Sequence, residues 1–141
     1  MRKESTRESL CAILNWRGDS HSEVKIRHHT MVIESSSEGG AGLTPTEVFL
    51  ASLGSCIMVN ISRIGQKMKL GLKEVHIEVT GVKESNDHPS SFVTLNVDIS
   101  INADTQDHEK LERLVQLAEE NCTISNTLRN AVKPCVKLRP I

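Results

Sequence analysis

Aromatic residues are nearly missing from this chain: one Trp, two Phe and no Tyr in 141 residues. Its core must therefore be built from Val, Ile, Leu, Ala and Met. Aromatic platforms on which single-stranded nucleic acid could stack are absent as well. Charge of one sign is also missing, because 17 Lys and Arg stand against 18 Asp and Glu, scattered along the chain. A net charge of −1 leaves no electrostatic footprint for DNA or RNA. Cysteine is too sparse and too dispersed for a disulfide scaffold: Cys11, Cys56, Cys122 and Cys135 lie far apart. In a reducing compartment these are free thiols unless some are catalytic. No Cys-x-x-Cys or His-x3-His spacing occurs. His28 and His29 fall next to each other in a predicted strand, where neighbours point to opposite faces, so no metal site is expected. His76 falls on the polar face of a strand and His88 in a turn. Long apolar runs are missing too. The most apolar window, 48–59, is interrupted by Ser and Gly and falls short of a membrane span. "MRKESTRES" at 1–9 is charged and has no signal-peptide core. A cytoplasmic location is the expectation.

What remains is ordinary for a soluble globular protein, with 38% apolar and 25% charged residues. The length suggests one domain, 1–141, large enough to bury a core. Residues 9–17 and 22–34 read as two strands around the turn "RGDS". "ESSSEGGAGLTP" (34–45) reads as a loop, with Thr44 as N-cap and Pro45 in the first turn of a helix. That helix runs from Thr46 to about Met68. Its apolar stripe, Leu50, Leu53, Ile57, Ile61, Ile64 and Met68, recurs at spacings of three and four. Residues 73–83 and 92–101 alternate as two strands around the hairpin loop "ESNDHPSS". A second helix covers 106–120 with Leu111, Leu114, Val115 and Ala118 inward, and a short third helix follows in "SNTLRN". "AVKPCVKL" closes the chain as a last strand, and Cys11 and Cys135 fall in edge-like strands as structural residues. Antiparallel strands with helices on one side make the class α+β.

Two of the thiols stand out. Cys56 lies on the flank of the long helix's apolar face, where a thiol without a positive neighbour is an inert small hydrophobe. Cys122 follows one helix and precedes the next, so amide N–H groups of the short helix are placed to stabilise a thiolate. A loop-buried thiol is the alternative. A disulfide between the two needs Cα atoms within about 7 Å, and 66 residues of intervening chain leave that distance open.

"GAGLTPTEVFLASLGSCIMVNISRIGQKMKL" together with "LAEENCTISNTLRNAVK" resembles the OsmC/Ohr family, the osmotically inducible protein C and organic hydroperoxide resistance proteins. The resemblance extends along nearly the whole chain, through the Gly-rich loop, the polar-Pro helix start, the helix cysteine and a later Cys-x-x-Ser-Asn-like segment. It implies an OsmC-like fold in which antiparallel sheets pack on a long central helix in an intertwined homodimer. It also implies a thiol peroxidase site at the subunit interface. Cys56 then matches the peroxidatic cysteine, attacking the distal oxygen of an organic hydroperoxide, and Cys122 the resolving one, which closes a Cys56–Cys122 disulfide. A dithiol reductant of the dihydrolipoamide type resets the pair, with no metal or flavin, as part of oxidative-stress defence.

The sequence departs from the family pattern at three places. Thr46 stands where the family has a glutamate directly after the Pro, and Glu47 comes one residue later. Glu47 and Cys56 are nine residues apart. On an ideal helix they face opposite sides, roughly 13 Å apart along the axis. Glu47 therefore acts on the thiol only through an intermediary or across a dimer interface, or else it is a first-turn acid favoured by the helix dipole. The family arginine comes from the first hairpin, where Arg17 is the nearest match and Arg27 the alternative, and either is otherwise a solvated turn residue. Thr123 replaces the usual proline, while Ser125 and Asn126 match, with Ser125 equally suited to a helix cap. An apolar lining of Phe49, Leu53 and Ile57 is expected around Cys56, favouring alkyl hydroperoxides over hydrogen peroxide. The competing reading is a non-catalytic dimer of the same fold that binds a small apolar ligand or senses redox state through its thiols.

Overall fold

Local pattern explains most of the elements in the computed structural model, which describes residues 7–18, 20–34, 42–84 and 90–140. The loop expectations within 35–41 and 85–89, including His88, lie outside those residues. The chain divides into two compact units, 1–48 and 49–141.

The N-terminal unit holds a three-stranded antiparallel sheet in the order β1 (Ile13–Trp16), β2 (His21–Ile26), β3 (His29–Glu34). The sequence suggested two strands, with one running unbroken over 22–34. It breaks at Arg27–His28, because Ile26 pairs with His29 around a two-residue turn and Arg27 takes a positive φ of 55°. Such a turn matches the right-handed twist of its strands, so a tight hairpin wins over a long strand. The break also moves His28 into the turn. Its ring lies beside that of His29, 4.1 Å between centroids, instead of on the opposite face of one strand. In the first hairpin Gly18 supplies a φ of 87°, and the Arg17 N–H donates to the His21 carbonyl. Glu34, buried at the end of β3, accepts from His21 Nε2 at 2.9 Å.

Helix α1 (Pro45–Lys67) starts on a capping box. The Thr44 Oγ1 accepts from the Glu47 N–H at 3.3 Å, and the Glu47 carboxylate accepts from the Thr44 N–H at 3.2 Å. Two otherwise orphaned donors are satisfied reciprocally. The helix ends in a Schellman motif. Leu70 N–H reaches the Gly65 carbonyl and Lys69 N–H that of Gln66, with Lys69 in the left-handed region at φ 55°. By length and composition this helix is long and apolar enough to cross a membrane, whereas the window 48–59 by itself is too short. In the fold its stripe forms core instead.

In the C-terminal unit β4 (Leu72–Lys83) and β5 (Phe92–Ala103) form a long antiparallel pair. Val75, Ile77 and Val79 face Ile101, Ile99 and Val97 across it. A register shift at Val82/Lys83 breaks the simple alternation near the loop. Phe92 therefore stacks on Phe49, 5.7 Å between ring centroids, while Val93 is exposed. Leu53, Ile57 and Ile61 of α1 are buried with Leu70, Leu114, Ala118 and Cys122, and the inward residues of both strands pack against them. Gly54 permits the close approach of helix to sheet, since a Cβ there would sit 3.0 Å from Val79 Cγ2.

Helix α2 (His108–Glu120) is capped by Asp107, whose carboxylate accepts from the Lys110 N–H at 3.3 Å. Leu114 and Ala118 form its fully buried stripe. Helix α3 (Thr123–Arg129) follows after a two-residue junction, starting earlier than "SNTLRN" suggested because Cys122 caps it. The expected last strand is not formed. Residues 131–140 are exposed and lack regular structure, and no strand among the described residues pairs with them. Cys135 is accordingly exposed outside any strand, as is Cys11, so neither holds the structural place expected of it.

Candidate active site

The capping of α3 sets up the chemistry. Cys122 takes an extended conformation before the first turn, and its Sγ accepts from the Ser125 N–H at 3.3 Å. Burial pushes the Cys122 thiol up. The Ser125 hydroxyl and N–H, the Cys56 thiol and the Ile124 N–H all hydrogen-bond the sulfur, and together they hold it below the usual cysteine range. Ser125, itself buried, is thus the main donor to the thiol as well as part of the helix start.

Cys56, in the middle of α1, is half-buried, packs against the core cluster that holds Cys122, and is one of the neighbours that lower the Cys122 pKa. The fold therefore brings together two free thiols that are remote in sequence. The contact is held by Asn60, one turn beyond Cys56 and buried. Its Nδ2 donates to the Cys56 carbonyl at 3.1 Å and to the Asn121 carbonyl at 3.2 Å, tying α1 to the α2–α3 junction. Its Oδ1 accepts from Arg63 Nη2 at 2.7 Å.

Cys56 lines an open cavity of about 390 Å³ together with Ser55, Val59, Asn60, Arg63, Asn121 and Thr123. The apolar lining expected from Phe49, Leu53 and Ile57 is not found there. Phe49 stacks on Phe92, and Leu53 and Ile57 are buried in the core, so none of the three lines the cavity beside the thiol. Asn60 and Arg63 line this cavity with Cys56, although the sequence pattern alone does not mark either as a candidate. The available signal was position: four and seven residues after Cys56 fall on the same helix face.

Arg17 and Glu47 belong to the N-terminal unit. The Arg17 guanidinium donates to Glu23 at 2.7 Å, and with Lys25 it holds the Glu23 carboxyl below the ordinary range. Glu47 closes the capping box and is exposed, and Arg27 is exposed in its turn.

A family model described as OsmC-like protein matches residues 37–137. An uncharacterized protein of Methanocaldococcus jannaschii is 29% identical over 99 residues, 65% of this chain and 50% of that protein. The chain thus spans about half the length of the curated relative it matches. The fold is shared with an OsmC-like protein from Mycoplasma pneumoniae, at a TM-score of 0.79, 14% identity and coverage of 88% of this chain and 89% of that one. It is also shared with an organic hydroperoxide resistance protein from Legionella pneumophila, at a TM-score of 0.63, 18% identity and coverage of 89% and 92%. The family match over most of the residues and the common α+β fold agree, and the chain belongs to the OsmC/Ohr family.

Proposed function

We propose that this protein is a thiol peroxidase that reduces organic hydroperoxides through Cys56 and Cys122. The observation that carries the reading is the contact between the two thiols at the edge of an open cavity. The family and the hydroperoxide-resistance proteins that share the fold support it. Cys56 meets the peroxide, because it lines the cavity while Cys122 is fully buried.

Cys56 lies beside Cys122, whose thiolate is favoured by its hydrogen-bond donors. Attack on the peroxide takes place from Cys56 as thiolate, the nucleophilic form of a cysteine. The Cys56 sulfur attacks the distal oxygen of ROOH, the O–O bond breaks, and Cys56 becomes a sulfenic acid while the alkoxide takes a proton and leaves as ROH. Cys122, again as thiolate, attacks the Cys56 sulfur. A disulfide forms and hydroxide departs as water on protonation. A dithiol of the dihydrolipoamide type restores both thiols by two exchange steps and is itself oxidised to its disulfide. Sulfur carries both electrons, so the proposal involves no cofactor. A homodimer and a cytoplasmic location belong to the same proposal.

Titration with cumene hydroperoxide, thiol counting and mass mapping test it. Loss of two thiols per chain with a Cys56–Cys122 linkage is the expected result. Four thiols surviving an excess of hydroperoxide would remove the peroxidase reading.

A further inference from the structure

We propose that Arg63 is an anion anchor in the Cys56 cavity and selects compact, carboxylate-bearing molecules as reaction partners of the thiol. This deepens the peroxidase reading and, for the hydroperoxide substrate, rests on it. Arg63 stands two helical turns after Cys56 and lines the same cavity. One of its N–H groups is fixed on Asn60 Oδ1 at 2.7 Å, and that amide is anchored in turn by the carbonyls of Cys56 and Asn121. The exposed Arg63 guanidinium is thus tied on one side to an amide that is itself anchored.

An arginine has five N–H donors in a planar fork suited to bidentate carboxylate recognition, and Asn60 occupies only one. Among the described residues no carboxylate pairs with Arg63. Among the described residues no other Lys, Arg, Asp or Glu lines the cavity, and Val59 is its aliphatic lining residue. A volume of about 390 Å³ suits a small ligand and lies at the lower end of the roughly 300–1,000 Å³ common for ligand sites. A short molecule with its carboxylate on Arg63 then places its reactive end over Cys56.

The anchor is tested on the full-length protein without any peroxide chemistry. The rates of Cys56 alkylation by iodoacetate and by iodoacetamide are compared, with mass mapping to separate Cys56 from the other thiols. The iodoacetate/iodoacetamide ratio at Cys56 should exceed that of 2-mercaptoethanol by roughly five- to tenfold, the scale of one charge-assisted hydrogen bond near the surface. It should fall with added salt. Arg63→Gln should return the ratio to that of the free thiol and Arg63→Lys should keep part of it, with unchanged melting curves showing that both variants fold. A ratio that is the same in wild type and Arg63→Gln overturns the anchor.

A second arm compares a short carboxylate-bearing alkyl hydroperoxide with tert-butyl hydroperoxide by their kcat/KM ratio. A preference for the carboxylate that disappears in Arg63→Gln supports the proposal, and no preference counts against it. If neither hydroperoxide is reduced, the peroxidase reading fails, and the alkylation ratio still decides the role of Arg63.

Discussion

At the level of single residues the two thiols differ in surroundings, and they should differ in failure. Cys56 lines the cavity, whereas Cys122 is buried among donors that favour its thiolate. Cys56→Ser should abolish hydroperoxide consumption. Cys122→Ser should consume about one equivalent, stop, and over-oxidise at Cys56, because no second sulfur traps the sulfenate. Dimedone labelling with mass spectrometry checks the assignment: a sulfenate found on Cys122 in the Cys56→Ser protein, with none on Cys56 in the Cys122→Ser protein, reverses it. The low pKa of Cys122 carries a second prediction. Its folded value lies below the unfolded one, so the thiolate's contribution to stability is complete above the unfolded thiol range and is lost as pH falls through the folded pKa. The stability advantage of wild type over Cys122→Ser should therefore grow from neutral pH upward, as read by urea midpoints in the absence of oxidant. A constant difference across that range would contradict the hydrogen-bonded thiolate.

Elements are governed by their ends as much as by their stripes. The stripe of α1 was legible from spacings of three and four, and so was the Thr44 cap. Its capping box is equally written in Thr44-Pro-Thr-Glu47, which gives Glu47 a role at the helix end apart from any at the thiol. The carboxylate's observed partner is the Thr44 N–H. At the other end Lys69 occupies the left-handed position that glycine takes at little cost. Lys69→Gly should relieve strain on the order of 1 kcal/mol and raise the melting midpoint by a few degrees. A lower midpoint would mean that the Lys69 side chain matters more than its backbone. The strand at 22–34 and the missing last strand show the opposite situation. Whether a segment pairs, breaks or stays unpaired depends on the presence of a partner ladder, which local alternation does not encode.

Across the whole molecule the exposed apolar surface asks for a partner. Beside α1 a groove of about 540 Å³ is lined by Leu50, Ala51, Gly54, Met58 and Val59 with Ile77 and Val79, and Val59 is 63% exposed. Trp16 and Leu138 are 78% and 95% exposed. Contiguous apolar patches beyond a few hundred Å² are uncommon on monomers. The protein should therefore run as a dimer at twice its chain mass in light scattering at micromolar concentration. A stable monomer there would sink the proposed homodimer while leaving the contact between the thiols untouched, because both belong to one chain.

The sequence by itself determined the α+β class, the long helix, the β4–β5 pair and α2. Each is specified by residues a few positions apart whose periodicity survives any context. Resemblance of two motifs singled out Cys56 and Cys122. Only the tertiary structure decided that Cys56 and Cys122 come together, that buried Asn60 ties α1 to the α2–α3 junction, and that Arg63 shares the Cys56 cavity. Those outcomes depend on how α1 docks against the α2–α3 junction, across 66 residues of chain. Such docking is set by the packing of the Leu53, Ile57, Leu114 and Ala118 core, and the pattern of no single segment contains it.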